Sequence, residues 1–326
     1  MNYTVTHETL DSLAACRANS NSKLSWDCLF VLPAWLKVWR QEIGTDAELL
    51  LTTVREGEMI AGIAPLMVKD GTASFLGNVD VCDYQDFIIT PGMENDFFNV
   101  LLDDLKQRGI TRLDLGHLRP DATVLTHLAD IARNRGYEVL SQAEAVSLEI
   151  TLTSTWEEYL ATLTTKQRHE VQRKLRRLAE AGKIDFHFIK DSAAVPEAMD
   201  TFLKMFTQSR EDKATFLTPR MESFLRSLAD TMAEAGILRL GVLELDGLPV
   251  AMTMCFDYNN CLYLYNSGYF PQYSSLSVGL LSKMSCIQEG IAEGKTKFDL
   301  LKGNETYKHH LGGQEVPLSR CRITIQ

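Results

Sequence analysis

The sequence predicts an α+β architecture built twice in tandem. Three observations predict it: an internal repeat, the same run of strand-like and helix-like segments in each copy, and a composition rich enough for two cores. The repeat comes first. Segment Leu50–Asn78, LLTTVREGEMIAGIAPLMVKDGTASFLGN, aligns without a gap on Leu240–Gly268, LGVLELDGLPVAMTMCFDYNNCLYLYNSG. Gly57 falls on Gly247, Ala61 on Ala251 and Phe75 on Tyr265. Both copies read as strand, glycine turn, strand, short turn, strand, with the β-branched and aromatic residues that suit a pleated surface.

A second match follows in the same order. RGITRLDLGHLRP from Arg108 pairs with EGKTKFDLLKGNE from Glu293, setting Asp114-Leu115 on Asp299-Leu300. Before each lies an amphipathic stretch, Asn95–Gln107 and Val278–Glu289, with apolar residues at helical spacing. Further helices are expected over Thr9–Arg17, Pro33–Glu42, Arg168–Glu180, Val195–Ser209 and Arg220–Glu234. Thr155, followed three residues later by Glu158, forms a capping-box pattern that opens a helix just past the middle of the chain. The halves therefore meet near Thr151, giving domains 1–150 and 151–326, each a mostly antiparallel sheet flanked by helices. Pro317–Gln326 reads as a terminal strand that either domain could hold.

Composition narrows the function. The chain has 326 residues, 45% of them hydrophobic, which is length enough for two domains with their own cores. A net charge of −10 disfavours wholesale binding to DNA or to an anionic membrane. No apolar run reaches the length of a membrane span, and Met1–Ser20 lacks the apolar stretch of a signal peptide, so a cytoplasmic protein is expected. The 7 cysteines show no CxxC pair, as expected of reduced thiols. No metal is expected: His309 and His310 are adjacent and point apart, and His169-Glu170 lacks the second histidine of a helical zinc motif.

Familiar catalytic signatures are missing. There is no GxxxxGK or GxGxxG loop, and Ser275-Leu-Ser-Val-Gly279 lacks the first glycine of a nucleophile elbow. The same stretch has another use. Ser275 and Ser277 precede the helix that begins at Val278, where free N–H groups and the positive dipole end suit phosphate oxygens, and Gly279 allows close approach. The plainer reading makes Ser277 an N-cap. After the strand Lys297–Leu300 comes LKGNETYKHHLGG, a polar, glycine-containing segment of the kind that carries active sites on loops. Tyr307 there could protonate a leaving thiolate, and Lys308 could hold a phosphate or an oxyanion. Alternatively, Tyr307 is a packing residue and Lys308 a solvated charge. Lys166–Arg177, KQRHEVQRKLRR, concentrates positive charge, either as a solvated face or as a rim for an anionic substrate. In the first half Asp83, Tyr84 and Asp86 could receive a substrate amine or hydroxyl, or could shape a turn.

Taken together, WEEYLATLTTKQRHEVQRKLRRL, LELDGLPVAM, YLYNSGY, SVGLL and FDLLKGNETYKHHLG resemble the GNAT superfamily, as do EGEMIAGIAPL and FLGNVDVCDYQDF in the first half. The likeness is to its tandem-domain branch, with the Fem-type aminoacyltransferases and the acetyltransferases of cellulose and polysaccharide biosynthesis. The resemblance implies two GNAT folds, an acyl-CoA such as acetyl-CoA as co-substrate, and transfer to an amine or hydroxyl of a small-molecule, saccharide or cell-envelope acceptor. It implies catalysis in the C-terminal domain by Tyr307, Lys308, Glu305 and Asp299, with Asp83, Asp86 or Glu305 as base. Cofactor contacts would come from Ser275, Ser277, Val278, Gly279 and Tyr265, the last near the strand whose N–H groups would hold the oxyanion. Asp83, Tyr84, Asp86, Lys166, Arg168 and Arg210 would bind the acceptor, which the N-terminal domain shapes. Tyr307-Lys-His-His-Leu-Gly312 is similar to the Phe-Lys-x-x-Phe-Gly stretch of Fem enzymes. The pyrophosphate loop departs from the family's Arg/Gln-x-x-Gly-x-Gly/Ala, which leaves an aminoacyl-tRNA donor, or a non-catalytic binding module, as alternatives.

Overall fold

The computed structural model describes residues 2–325; Met1 and Gln326, the ends of the two expected domains, lie outside the described residues. The chain divides into two compact units, Met1–Val146 with Val316–Gln326, and Ser147–Glu315.

The first unit runs β1 (Tyr3–His7), α1 (Leu10–Ala18), α2 (Pro33–Glu42), β2 (Glu48–Glu56), β3 (Met59–Lys69), β4 (Thr72–Phe75), β5 (Ile88–Ile89), α3 (Glu94–Gln107), β6 (Arg112–Leu118), α4 (Ala129–Asn134) and most of β7 (Glu138–Thr151). Its strands β1-β2-β3-β4-β6 are ordered as neighbours, with β5 on β3. The β1–β4 meander is antiparallel, whereas β4 and β6 are parallel, with α3 as the crossover between them. Helix α3 forms because Phe97, Phe98, Leu101, Leu102 and Leu105 recur on one face, and all five are buried in this unit's core. Pro33 sits at the start of α2, where its missing N–H costs nothing.

The second unit runs α5 (Trp156–Thr162), α6 (Thr165–Ala181), β8 (Ile184–Ile189), α7 (Val195–Ser209), α8 (Glu211–Phe216), α9 (Pro219–Glu234), β9 (Leu238–Leu245), β10 (Leu248–Tyr258), β11 (Cys261–Tyr269), α10 (Val278–Ala292), β12 (Lys297–Lys302) and α11 (Thr306–His310). Strands β8-β9-β10-β11 form an antiparallel meander, β12 joins β11 in parallel, and the end of β7 pairs with β12. The expected capping box at Thr155 and Glu158 is made, and a second one, Thr164 with Gln167, opens α6. Gly268 lets α7 lie directly on β11: a Cβ there would stand 2.4 Å from the backbone N of Phe206.

The two meanders repeat one another, but one residue out of the expected register. Glu56 pairs with Met59 around Gly57-Glu58, and Leu245 pairs with Leu248 around Asp246-Gly247. Gly57 therefore occupies the place of Asp246 rather than Gly247. The reason is turn type. Only Gly57 is left-handed in the first turn, whereas Asp246 and Gly247 both are in the second, so glycine serves different turn positions.

The chain end corrects the expected 151–326 domain. Strand β13 (Gln314–Thr324) pairs antiparallel with β6 through Cys321↔Leu115 and Ile323↔Leu113. Cys321, Ile323 and Ile325 alternate inward and join the first unit's core, so this segment completes the first unit.

Candidate active site in the second unit

The parallel ladder between β11 and β12 is short. It runs Cys261↔Lys297, Leu262↔Phe298, Tyr263↔Asp299 and stops, although both strands continue. Two local features account for this. On β11, Met254 of β10 faces Asn266 while Cys255 faces Leu264, leaving Tyr265 as an extra residue in a bulge. Bulges bend a strand and leave a residue outside the ladder. On β12, Leu301 adopts φ 61°, a left-handed conformation costly for a branched side chain. It is held there by Asp299, which is 2% exposed and whose Oδ1 accepts from the Leu301 N–H at 2.8 Å.

Lys308 holds the same turn from the other side. Its Nζ donates to the carbonyls of Leu301 (2.9 Å), Lys302 (2.7 Å) and Gly303 (3.2 Å), and it is 3.0 Å from Glu305 Oε2. The side chain is buried on α11, so all three ammonium protons are spent on the bend of β12. Tyr159 anchors the far side of α11 through its hydroxyl, which donates to the Leu311 carbonyl at 2.8 Å. Gln167 of α6 donates to the His309 carbonyl at 2.8 Å.

Helix α10 starts at this end of β11. Ser277 takes the left-handed conformation (φ 60°) and caps no N–H with its side chain; its carbonyl accepts from Leu280 and Leu281. Ser275 is exposed in the turn before it, and Val278 is buried. Gly279 has a packing role of its own, since a Cβ there would meet the Tyr269 ring at 2.8 Å.

The group that sequence reasoning missed is Lys283. It is 7% exposed, its Nζ donates to the Gly279 carbonyl at 2.6 Å, and it lies 4.9 Å above the Tyr307 ring. Burial, then the charge of Lys213, brings its pKa down to about 7. Lys213 of α8 donates to the Ser267 carbonyl of β11 and sits 4.9 Å over the Phe206 ring. Burial, then Arg210, lowers its pKa to about 8. Burial, with Glu305 adding, pushes the half-buried Tyr307 phenol above its ordinary value, which keeps its proton in place. The sequence did hold a signal: SVGLLSKMSCIQ places one charge in an otherwise uncharged helix segment, and a helix apolar all round is buried all round.

The other expected site residues are spread over both units. Asp299, Glu305 and Lys308 meet at the β12 bend, Tyr307 meets Lys283 of α10, and Tyr265 sits in the β11 bulge with its ring 5.4 Å from Phe256. Arg210 is exposed and forks onto Asp212 at 2.9 and 2.8 Å, with its charge felt at Tyr307. Lys166 is exposed and Arg168 half-buried on α6, where Arg173 and Lys174 pair with Glu170. Asp83, Tyr84 and Asp86 belong to the first unit. There Tyr84 is buried edge-on to Phe30 at 5.2 Å, under the Arg119 guanidinium. The Asp86 carboxylate accepts from Thr123 N (2.7 Å) and Thr123 Oγ1 (2.6 Å), and burial raises its pKa to about 6.

Residues 165–309 match the family described as the acetyltransferase (GNAT) domain. The chain has the GNAT fold, and residues 165–309 are the part that matches the family. FemX shares its fold over 98% of this chain and 96% of that one, at 11% identity and TM-score 0.63. A conserved protein of unknown function from Bacteroides thetaiotaomicron does so over 99% and 100%, at 13% identity and TM-score 0.62. The C-terminal domain of a putative lysylphosphatidylglycerol synthetase from Agrobacterium fabrum shares it over 82% of this chain and 81% of that one, at 12% identity and TM-score 0.54. No curated protein matches by sequence. No helix among the described residues is long and apolar enough to cross a membrane.

Proposed function

We propose that the second unit transfers an acyl group, acetyl in the simplest case, from an acyl-CoA to an amine or hydroxyl of a small-molecule, saccharide or cell-envelope acceptor. The observation that carries this reading is the parting of β11 and β12 at Tyr263 and Asp299, with the Tyr265 bulge on β11 and Tyr307 on α11, the helix that follows the β12 bend. A thioester laid along that gap would meet backbone N–H groups of β11 near the bulge, which suit the oxyanion that develops on its carbonyl. The uncapped start of α10, at Ser277, Val278 and Gly279, suits the donor's pyrophosphate. The acceptor's lone pair attacks the carbonyl carbon, the C–S bond breaks, and the sulfur takes the Tyr307 proton. The acceptor's own proton passes to a base, for which Glu305 is the candidate in this unit. Asp299 and Lys308 act by holding the β12 bend, as positioning residues.

Calorimetry with acetyl-CoA and longer acyl-CoAs tests the donor; micromolar binding is expected. Tyr307→Phe keeps the ring and removes the proton, so transfer is expected to fall roughly a hundredfold or more. A Tyr307→Phe enzyme within a factor of about two of the parent would remove the acid assignment.

One observation favours a second donor, an aminoacyl-tRNA. Arg176 and Arg177 stand exposed on α6 and make no ion pair among the described residues. Under that reading RNA binding falls steeply as salt rises, and acyl-CoA does not bind.

A further inference from the structure

Resting on the acyl-transfer reading above, we infer that Lys213 and Lys283 form a binding site for an anionic group, carboxylate or phosphate, carried by the acceptor.

The case is one of missing countercharge. Lys283 is buried on α10 with a single hydrogen bond, to the Gly279 carbonyl, and the face of Tyr307 beside it. Lys213 is half-buried on α8, on the Ser267 carbonyl and the face of Phe206. Among the described residues neither makes an ion pair. The carboxylate whose charge reaches both, Glu305, is paired with Lys308. Asp212, next to Lys213, is gripped by the Arg210 fork. The thiols of Cys255 and Cys286 lie near Lys283, but burial pushes the Cys255 pKa well up, so it supplies no negative charge. A buried ammonium, Lys283, with a second, half-buried one near enough for its charge to act on it is costly unless an anion joins them. A purely structural role would be met better by methionine or leucine.

Position separates acceptor from donor. The Lys283 ammonium lies against Tyr307, the group assigned to the departing sulfur, and on the carbonyl of Gly279, which points along α10 away from the free N–H groups of the helix start. The donor's pyrophosphate, by contrast, is assigned to the helix start. An anion on the lysines would therefore lie beside the reacting centre. Acceptors such as amino acids, acidic peptides or phosphorylated saccharides carry such a group; a neutral amine does not.

The test measures binding, so it does not depend on turnover. Inorganic phosphate and glutarate are titrated into the whole protein at constant ionic strength, in two buffers of different ionisation enthalpy. Saturable binding with net proton uptake is expected, because lysines held near neutrality are charged when the anion arrives. Lys283→Met and Lys213→Gln should each weaken it at least tenfold. The first removes a buried charge and the second a half-buried one, so loss of folding is not expected, and circular dichroism checks this. Lys283→Arg should keep the binding and lose most of the proton uptake. Acetyl-CoA affinity should change less than twofold in all three. No saturable anion binding, or binding untouched by the substitutions, overturns the site. A tenfold loss of acetyl-CoA affinity in Lys283→Met overturns the assignment to the acceptor. If instead the anions bind as described and no acyl-CoA binds the parent protein, the acyl-donor reading fails while the anion site stands.

Discussion

Replacing Lys308 by methionine separates a clamp from a catalyst. The Nζ donates to three carbonyls, those of Leu301, Lys302 and Gly303, and pairs with Glu305. Methionine fills nearly the same volume, so the loss is polar rather than a cavity. A hydrogen bond to a charged group contributes about 1.5–3 kcal/mol, and stranding buried acceptors costs about 1–3 kcal/mol each. Part of this is recovered, because Glu305 is exposed and returns to water, and Lys302 and Gly303 are only half-buried. A destabilisation of about 3–5 kcal/mol is expected, the range for breaking one partner of a buried charged set. Urea unfolding followed by circular dichroism measures it. The bend at Leu301 should loosen with it, so acyl transfer should fall in parallel, and Lys308→Arg should restore part of both. Stability within about 1 kcal/mol of the parent, together with a hundredfold loss of transfer, would refute the clamp and return Lys308 to direct contact with substrate.

Two predictions concern pH. Burial lowers the folded pKa of Lys283 to about 7 from 10.5. The unfolded chain therefore binds the proton first as pH falls, and stability drops between about 10.5 and 7, then levels. Lys283→Met should remove that slope and be more stable by about 2–4 kcal/mol at pH 7; equal slopes in unfolding measured from pH 7 to 10 would count against it. Asp86 has the opposite sign: its folded pKa is raised to about 6 from 3.8, so its contribution is full below about pH 4 and is lost as pH rises through 6. Asp86→Asn should flatten thermal stability between pH 4 and 6 by about 2 kcal/mol. An unchanged profile would show that the Thr123 hydrogen bonds offset the burial.

By itself the sequence determined the elements and their order, because each depends on short-range pattern. Pro33–Glu42 and Val195–Ser209 are helices over those same residues, and the Thr155–Glu158 cap is made as its spacing dictates. The repeat was legible too, to within one residue; the slip arose because glycine suits the first position of one turn and the second of another. What only the tertiary structure decided depends on partners distant in the chain. Strand β13 could satisfy its backbone on any open edge, and its pairing with β6 was settled by which core its inward residues fill. Lys308 reads in sequence as a reactive or solvated charge, and becomes a clamp only when β12 bends beneath it. Lys283 reads as one polar residue on an apolar helix. Its character comes from the absence of any carboxylate paired with it, which spacing along a chain cannot express.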